Sequence, residues 1–369
     1  MHVLHVVGAR PNFMKAAPVI AAFEQRPGVR QTLVHTGQHY DANMSDVFFE
    51  QLGLPRPDVS LGVGSGSHAT QTANIMTAFE QTLLNERPDI VLVYGDVNST
   101  VAATLVSTKM GIKVGHVEAG LRSFDRSMPE ELNRLVTDQL ADLLLTPSAD
   151  GDENLLREGI PPERIHRVGN VMIDTVFRLL PVAQPPEIPG LDEPYALVTL
   201  HRPSNVDDRD ILSRILDALK DISRQCRIIF PVHPRTKNCL ERFGLSLPQN
   251  DPQFTVLEPL GYLECLALQS RARMVLTDSG GIQEETTYLG IPCLTLRENT
   301  ERPVTVDVGT NKLIGTDTDL LRREAAAILS GNAQTGAVPE LWDGGAGERT
   351  ADVILNLFGD SAIPSNSAA

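Results

Sequence analysis

The sequence predicts an α/β protein made of two doubly wound parallel sheets in tandem. Two observations carry that expectation: short apolar, β-rich runs alternate with longer helical patterns in each half, and a proline-rich stretch without periodicity separates the halves. At 369 residues the chain has room for two to three domains of roughly 150 residues, each with its own core.

In the first half, residues 3–7, 32–35, 90–94, 113–117 and 143–145 read as strands, with helical patterns at 71–85 and 130–142 between them. Residues 181–194 contain Pro181, Pro185, Pro186, Pro189 and Pro194, the composition of a linker or long surface loop. Beyond it the alternation resumes, with strands at 195–200, 227–232, 254–257, 273–277 and 292–296 and a helix at 208–223. A last apolar helix at 346–358 precedes a Ser- and Ala-rich end at 360–369 that reads as a frayed tail. The expected domains are 1–175 and 176–345, with 346–369 supplying a helix that returns to the first domain plus the tail.

Composition removes several function classes. Lys and Arg number 32 against 47 Asp and Glu, a formal charge of −15 that repels a polyphosphate backbone, so nucleic-acid binding is not expected while a small anionic ligand remains compatible. No segment approaches the roughly 18 uninterrupted apolar residues of a membrane helix. Cys226, Cys239, Cys265 and Cys293 form no Cys-x-x-Cys pair and have no His at zinc-finger spacing, which predicts buried reduced thiols and no metal site. The first seven residues are too short and too interrupted for a signal-peptide core, so the cytoplasm is the expected compartment. There is no Walker lysine motif, no H-E-x-x-H and no G-x-S-x-G.

In open parallel sheets ligands bind beyond the carboxyl ends of strands. Those ends are polar here: Gly8-Ala9-Arg10, Thr36-Gly37-Gln38-His39, Gly95-Asp96 and Glu118-Ala119-Gly120 in the first half, then His201-Arg202, His233-Pro234-Arg235 and Asp278-Ser279-Gly280-Gly281 in the second. Two such sets facing one cleft would surround a ligand.

In Asp278-Ser279-Gly280-Gly281 a buried strand runs into two glycines that open a helix. Gly is about 1 kcal/mol worse than Ala inside a helix, so the pair suggests that a ligand approaches the backbone, and a diphosphate suits the exposed amides and the dipole. The segment equally fits an ordinary strand-to-helix turn with Ser279 as N-cap. Glu285 lies about 6 Å further along that helix, near where ribose hydroxyls would fall, with Glu284 an equally solvated neighbour. Gly64-Ser65-Gly66-Ser67-His68-Ala69 fits G-x-G-x-x-A, but it follows a weak strand and has no acidic partner at the end of the next one, so it reads as a surface loop.

Asp96 and Glu118 each end a buried strand, where carboxylates can act as bases. Ser127-Met128-Pro129-Glu130 has the S-x-x-E form of a capping box and Arg134 sits four residues past Glu130, so spacing alone favours a structural reading of Glu130 and Arg134. His201 follows a strand and could act as a general acid near a leaving group.

Taken together, Gly8-Ala9-Arg10-Pro11 with Lys15, Thr36-Gly37-Gln38-His39, Tyr94-Gly95-Asp96, His116-Val117-Glu118-Ala119-Gly120-Leu121-Arg122, Pro129-Glu130-Glu131 with Asn133-Arg134, His201-Arg202, residues 277–285 and Thr300-Glu301-Arg302-Pro303 resemble the non-hydrolysing UDP-N-acetylglucosamine 2-epimerases. The resemblance runs in order from about residue 3 to about residue 345.

It implies a glycosyltransferase-B-like fold of two Rossmann-like domains facing a deep cleft, a homodimer, and interconversion of UDP-GlcNAc and UDP-ManNAc without a nicotinamide, any other cofactor or a metal. It also implies a route: UDP leaves C1 as a proton leaves C2, and both return with the proton on the other face of the enzyme-bound 2-acetamidoglucal. Two faces require two positioned acid-base groups. By the same resemblance Asp96, Glu118 and Glu130 are acid-base carboxylates, Arg134 is a catalytic arginine and His201 assists the departing UDP. Arg10, Lys15, Gln38, His39, Arg202 and Arg302 are substrate contacts, Ser279, Gly280 and Gly281 hold the diphosphate, and Glu285 holds the ribose.

The chain departs from many bacterial members at Pro203-Ser204 and at Tyr40-Asp41-Ala42, segments that help form an effector site in members activated by a second UDP-GlcNAc. Alternatives are a 2-epimerase of UDP-2,3-diacetamido-2,3-dideoxyglucuronate, a hydrolysing 2-epimerase, a glycosyltransferase of the same fold, and a catalytically silent UDP-sugar sensor.

Overall fold

The computed structural model describes residues 1–38, 49, 52–248 and 250–359. His39, residues 40–42 and the tail at 360–369 lie outside the described residues. The chain divides into two compact units, one combining Met1–Arg178 with the chain from Glu340 onward and the other comprising Leu179–Pro339.

The first unit holds β1 (His2–Val7), β2 (Arg30–His35), β3 (Val59–Ser60), β4 (Ile90–Tyr94), β5 (Lys113–Val117), β6 (Leu143–Thr146) and β7 (Ile165–Arg167). They form one parallel sheet in the order β3-β2-β1-β4-β5-β6-β7. Its helices are α1 (Arg10–Glu24), α2 (His68–Glu86), α3 (Asn98–Lys109), α4 (Pro129–Leu140), α5 (Ala149–Arg157), α6 (Val171–Leu179), which ends at the unit boundary, and, from the chain's end, a helix at Ala346–Phe358. That last helix packs against α1. Gly347 allows the approach, because a Cβ there would lie 2.6 Å from the Pro18 carbonyl oxygen, and the buried Asp174 carboxylate accepts the Ala346 and Gly347 amides.

The second unit repeats the plan. Strands β8 (Tyr195–Thr199), β9 (Arg227–Pro231), β10 (Phe254–Leu257), β11 (Met274–Thr277), β12 (Cys293–Thr295) and β13 (Asn311–Leu313) form a parallel sheet in the order β10-β9-β8-β11-β12-β13. Alternate residues feed separate cores on its two faces: Val198, Ile228 and Leu276 on one, Leu197, Ile229 and Val275 on the other. Burial on both faces is why β8, β9 and β11 read as apolar runs. Its helices are α7 (Pro203–Val206), α8 (Arg209–Ser223), α9 (Pro234–Phe243), α10 (Tyr262–Arg271), α11 (Gly280–Leu289), α12 (Val304–Asp307) and α13 (Thr318–Leu329), which makes Ala346–Phe358 α14.

The expected strands at 90–94, 113–117 and 254–257 are found with those bounds. Three strands escape the sequence pattern, β3, β7 and β13. Each is two or three residues long and lies at a sheet edge, where one side of the ladder is open and an apolar run is not required.

Helix α2 begins three residues before the expected 71, because Ser67 caps it by accepting the Thr70 amide. The expected capping box at Ser127 is not formed. Met128 is the N-cap of α4, Pro129 is its first residue, and the Ser127 hydroxyl instead donates to Asp125. Cys226, Cys239 and Cys293 are buried free thiols, while Cys265 is only half-buried, short of the burial expected for all four. No described helix is long and apolar enough to cross a membrane.

Candidate active site

In both sheets consecutive strands run outward in opposite directions from one central strand, from β1 to β2 and β4, and from β8 to β9 and β11. In each sheet that reversal lies at the carboxyl end of its own central strand, the place where doubly wound sheets bind ligands. The segments following the strands there are residues 8–10 and 95–96 in the first unit, and residues 201–202 and 278–281 in the second.

The first unit concentrates carboxylates. Gly95 turns the chain after β4 with φ +63°, a conformation that favours glycine, and a Cβ there would lie 2.8 Å from Lys15 Nζ and 3.1 Å from Glu118 Oε2. Glu118, just past β5, takes φ +73°, a left-handed conformation costing about 1–3 kcal/mol in a residue with a Cβ. Its carboxylate is buried and forms an ion pair with the equally buried Lys15 ammonium.

Asp96 forms an ion pair with Arg134, and the rest of that guanidinium grips Glu131, Nη2 donating at 2.5 Å and Nε at 3.1 Å. Spacing had suggested Glu130 as the partner at i,i+4. The pair forms instead with Glu131 at i,i+3, because Glu131 faces inward and also accepts the Ser123 and Phe124 amides at 3.0 and 2.9 Å. Burial works to raise the Glu131 carboxyl, but Arg134 and those amides outweigh it and hold the group below the ordinary 4.5.

Glu130 is exposed and joins Asp96 and Gln38 in the wall of a cavity of about 270 Å³. The Gln38 side chain is anchored there, its Oε1 accepting from the Ser99 amide at 2.9 Å and the Ser99 hydroxyl at 2.7 Å. Arg10 is the first residue of α1 and is half-buried.

The second unit is organised around Asp278, a fully buried carboxylate that the sequence marks only as a strand end. It accepts the His201 amide at 3.0 and 3.1 Å, the Arg202 amide at 2.8 Å and the Asn205 side-chain amide at 3.1 Å. His201 Nδ1 also lies 2.9 Å from Asp278 Oδ1, which engages that ring nitrogen and not Nε2. The Arg202 side chain is drawn to the same place, Nε donating to the Asp278 carbonyl oxygen at 3.1 Å.

Helix α11 opens on Gly280 and Gly281. Ser279 is its N-cap by position, yet its side chain makes no capping hydrogen bond. A Cβ on Gly280 would lie 2.8 Å from both Arg302 Nη1 and Glu301 Oε1, whereas a Cβ on Gly281 would meet nothing within 4 Å. No described protein atom therefore requires glycine at 281.

Arg302 sits beside this turn, paired with Glu301 and, through Nε, with Glu284 at 2.9 Å. Glu284 is consequently buried, 1% exposed, not the solvated neighbour expected of it. Its helix face points at the Arg302 guanidinium, and only an ion pair makes such burial tolerable.

Glu285 is buried as well, accepting Tyr262 Oη–H at 3.0 Å and Gln269 Nε2–H at 2.8 Å. Burial is the main influence and outweighs both hydrogen bonds, pushing its carboxyl up to about 7. A carboxyl raised on folding stabilises the fold fully below its unfolded value of 4.5, and that contribution fades as pH climbs toward 7. Glu285→Gln, which cannot ionise, is expected to be more stable relative to wild type at pH 8 than at pH 4.5 by up to about 3 kcal/mol. Urea titrations at the two pH values check this, and an unchanged difference removes the raised carboxyl.

Among the described residues no group of three or more His, Cys, Asp or Glu side chains is placed to hold a metal ion. Sequence reasoning missed Tyr262 and Gln269 as parts of these sites, and it quoted Glu131 and Asp278 within motifs without giving either a role of its own. For Asp278 the signal was present, a carboxylate at a buried strand end directly before a turn.

Residues 21–355 match the sequence profile of the family described as UDP-N-acetylglucosamine 2-epimerase. The chain belongs to that family. A UDP-N-acetylglucosamine 2-epimerase of Methanococcus maripaludis is 42% identical over 367 residues, covering 96% of this chain and 98% of the relative. A UDP-2,3-diacetamido-2,3-dideoxy-D-glucuronate 2-epimerase of Pseudomonas aeruginosa is 40% identical over 361 residues, covering 97% of this chain and all of the relative. The crystal structure of Methanocaldococcus jannaschii UDP-GlcNAc 2-epimerase in complex with UDP-GlcNAc and UDP superposes with TM-score 0.86 at 41% identity, covering 96% of this chain and 100% of that one. The two parallel α/β sheets are accordingly those of a glycosyltransferase-B-like epimerase.

Proposed function

We propose that this protein interconverts UDP-GlcNAc and UDP-ManNAc by elimination and re-addition of UDP. The observation that carries the reading is the gathering of Asp96, Glu118 and Glu130 in one unit, on two strand ends and a helix start, in a chain that belongs to this family. Binding a nucleotide sugar gains nothing from so many carboxylates, whereas moving a proton on and off both faces of C2 needs at least two.

In the forward direction a carboxylate takes the C2 proton, the C2–H electron pair becomes the C1=C2 double bond, and the C1–O bond breaks to release UDP. In return, UDP oxygen re-forms the bond to C1 while a second carboxylic acid delivers a proton to the opposite face of C2. Negative charge grows on UDP as it leaves. The amides of Ser279, Gly280 and Gly281, the positive end of α11, and Arg10, Arg202 and Arg302 stabilise that charge, and His201 Nε2 supplies a proton or hydrogen bond to the departing phosphate. Lys15 serves here as the partner of Glu118, with Gln38, His39 and Glu285 completing the contacts to sugar and ribose. The proposed reaction requires no cofactor, and the same reading extends to a homodimer acting in the cytoplasm.

The 40% identical relative favours one alternative, a 2-epimerase of UDP-2,3-diacetamido-2,3-dideoxy-glucuronate. Purified protein incubated with each UDP-sugar alone, with products separated by anion exchange, distinguishes the readings. UDP-GlcNAc is expected to yield UDP-ManNAc and no free sugar. Free ManNAc with UDP would move the enzyme to the hydrolysing type, and turnover of the glucuronate alone would move its substrate.

A further inference from the structure

Beneath the carboxylates of the first unit lies a charged cluster that the proposed reaction does not use. His116, on β5 two residues before Glu118, and Asp138, on α4 four residues past Arg134, are both fully buried. His116 Nδ1 lies 2.6 Å from Asp138 Oδ1, and His116 Nε2 lies 2.8 Å from the Gly95 carbonyl oxygen. A carbonyl oxygen only accepts, so Nε2 carries a hydrogen. Asp138 Oδ2 in turn receives the Gly120 amide at 3.1 Å and lies 2.7 Å from Arg122 Nη1.

Asp138 Oδ2 faces two donors, the Gly120 amide and the Arg122 guanidinium, so that oxygen carries no hydrogen and the adjacent cation favours the carboxylate. An ionised Asp138 accepts at both oxygens, which places a hydrogen on His116 Nδ1 as well. The ring is then an imidazolium that donates from both nitrogens. The charges around it balance: Asp138 from α4, Arg122 from the loop after β5, Glu158 through its pair with Arg122, and the Lys15–Glu118 pair beside Gly95.

The two backbone anchors have a common significance. Gly95 immediately precedes Asp96, and Gly120 lies two residues past Glu118. Both glycines are left-handed, at φ +63° and +82°, and a Cβ on Gly120 would lie 2.4 Å from the Gly151 carbonyl oxygen.

We propose that Asp138 and a doubly protonated His116 form a buried positioning pair that fixes the two turns presenting Asp96 and Glu118. Asp138 holds the second turn directly and the first through the ring, so one carboxylate sets the spacing of two acid-base groups. These are positioning residues, since neither touches substrate. Their effect on turnover rests on the proposed epimerase reading; the protonation of the ring does not.

The test uses the intact protein labelled with 15N histidine and long-range 1H–15N correlation spectra at pH 8, the His116 ring being assigned by its loss in His116→Gln. The expected wild-type spectrum shows both His116 ring nitrogens protonated, and in Asp138→Asn one nitrogen is bare. The same variant is expected to lose roughly ten-fold or more in kcat with KM for UDP-GlcNAc nearly unchanged, because misplacing a reacting group by a fraction of an ångström costs rate more than binding. A bare nitrogen on wild-type His116 at pH 8 overturns the charged pair. A folded Asp138→Asn with wild-type kcat overturns the positioning role, and if that variant fails to fold the wild-type spectrum still decides the ring. Absence of epimerase activity in the wild type would instead strike the functional reading and leave the spectrum interpretable.

Discussion

Glu118→Gln is expected to lower kcat for UDP-GlcNAc by roughly 10²–10⁴-fold with little change in KM, the loss that follows from removing a general acid or base. The amide keeps the shape and can still accept from Lys15, but it cannot take a proton from carbon. Asp96→Asn is expected to behave alike. Each substitution also removes the counter-charge of a buried cation, Lys15 or Arg134, so melting temperatures must be read beside the rates. Glu130→Gln supplies the clean comparison, because Glu130 is exposed and its loss should leave stability unchanged. Wild-type turnover in any of the three variants, measured by quantifying UDP-ManNAc, removes that residue from the acid-base set.

Arg134→Met should produce the largest loss of stability. The guanidinium is 2% exposed and stands between Asp96 and Glu131, so its removal leaves the buried Glu131 carboxylate without its counter-ion. Breaking one side of a buried pair costs about 3–5 kcal/mol. Neutralising the carboxylate in Arg134→Met with Glu131→Gln is expected to return much of that stability, while activity stays lost because Asp96 is no longer held. Denaturant titrations of the two single variants and the double variant give the coupling. Additive effects would mean that Arg134 and Glu131 do not act as a pair.

The fold was legible because parallel strands buried on both faces must be apolar throughout, as Ile90-Val91-Leu92-Val93-Tyr94 is. The edge strands β3, β7 and β13 face no such demand and were silent. For the site, spacing located Asp96 and Glu118 as strand ends but could not orient α4. Glu130 and Glu131 are adjacent, and only the packing of that helix decides which carboxylate points inward at Arg134 and which outward. The same ambiguity hid Glu284, whose burial depends on Arg302, 18 residues further along the chain. Asp278 was legible as a strand-end carboxylate, but the backbone amides it holds come from a distant segment, and Asp138 acts on an amide and a ring in the same way, so neither partnership leaves a local pattern in sequence.

Proton NMR of the purified protein with UDP-GlcNAc alone in deuterated water tests the central claim most directly, because exchange at C2 reports proton abstraction from carbon. The account predicts that the sugar H2 signal disappears while anomeric signals of UDP-ManNAc grow, with deuterium at C2 of both sugars. Conversion to UDP-ManNAc with H2 fully retained would contradict it, since no proton would then have left C2 for a carboxylate that exchanges with solvent.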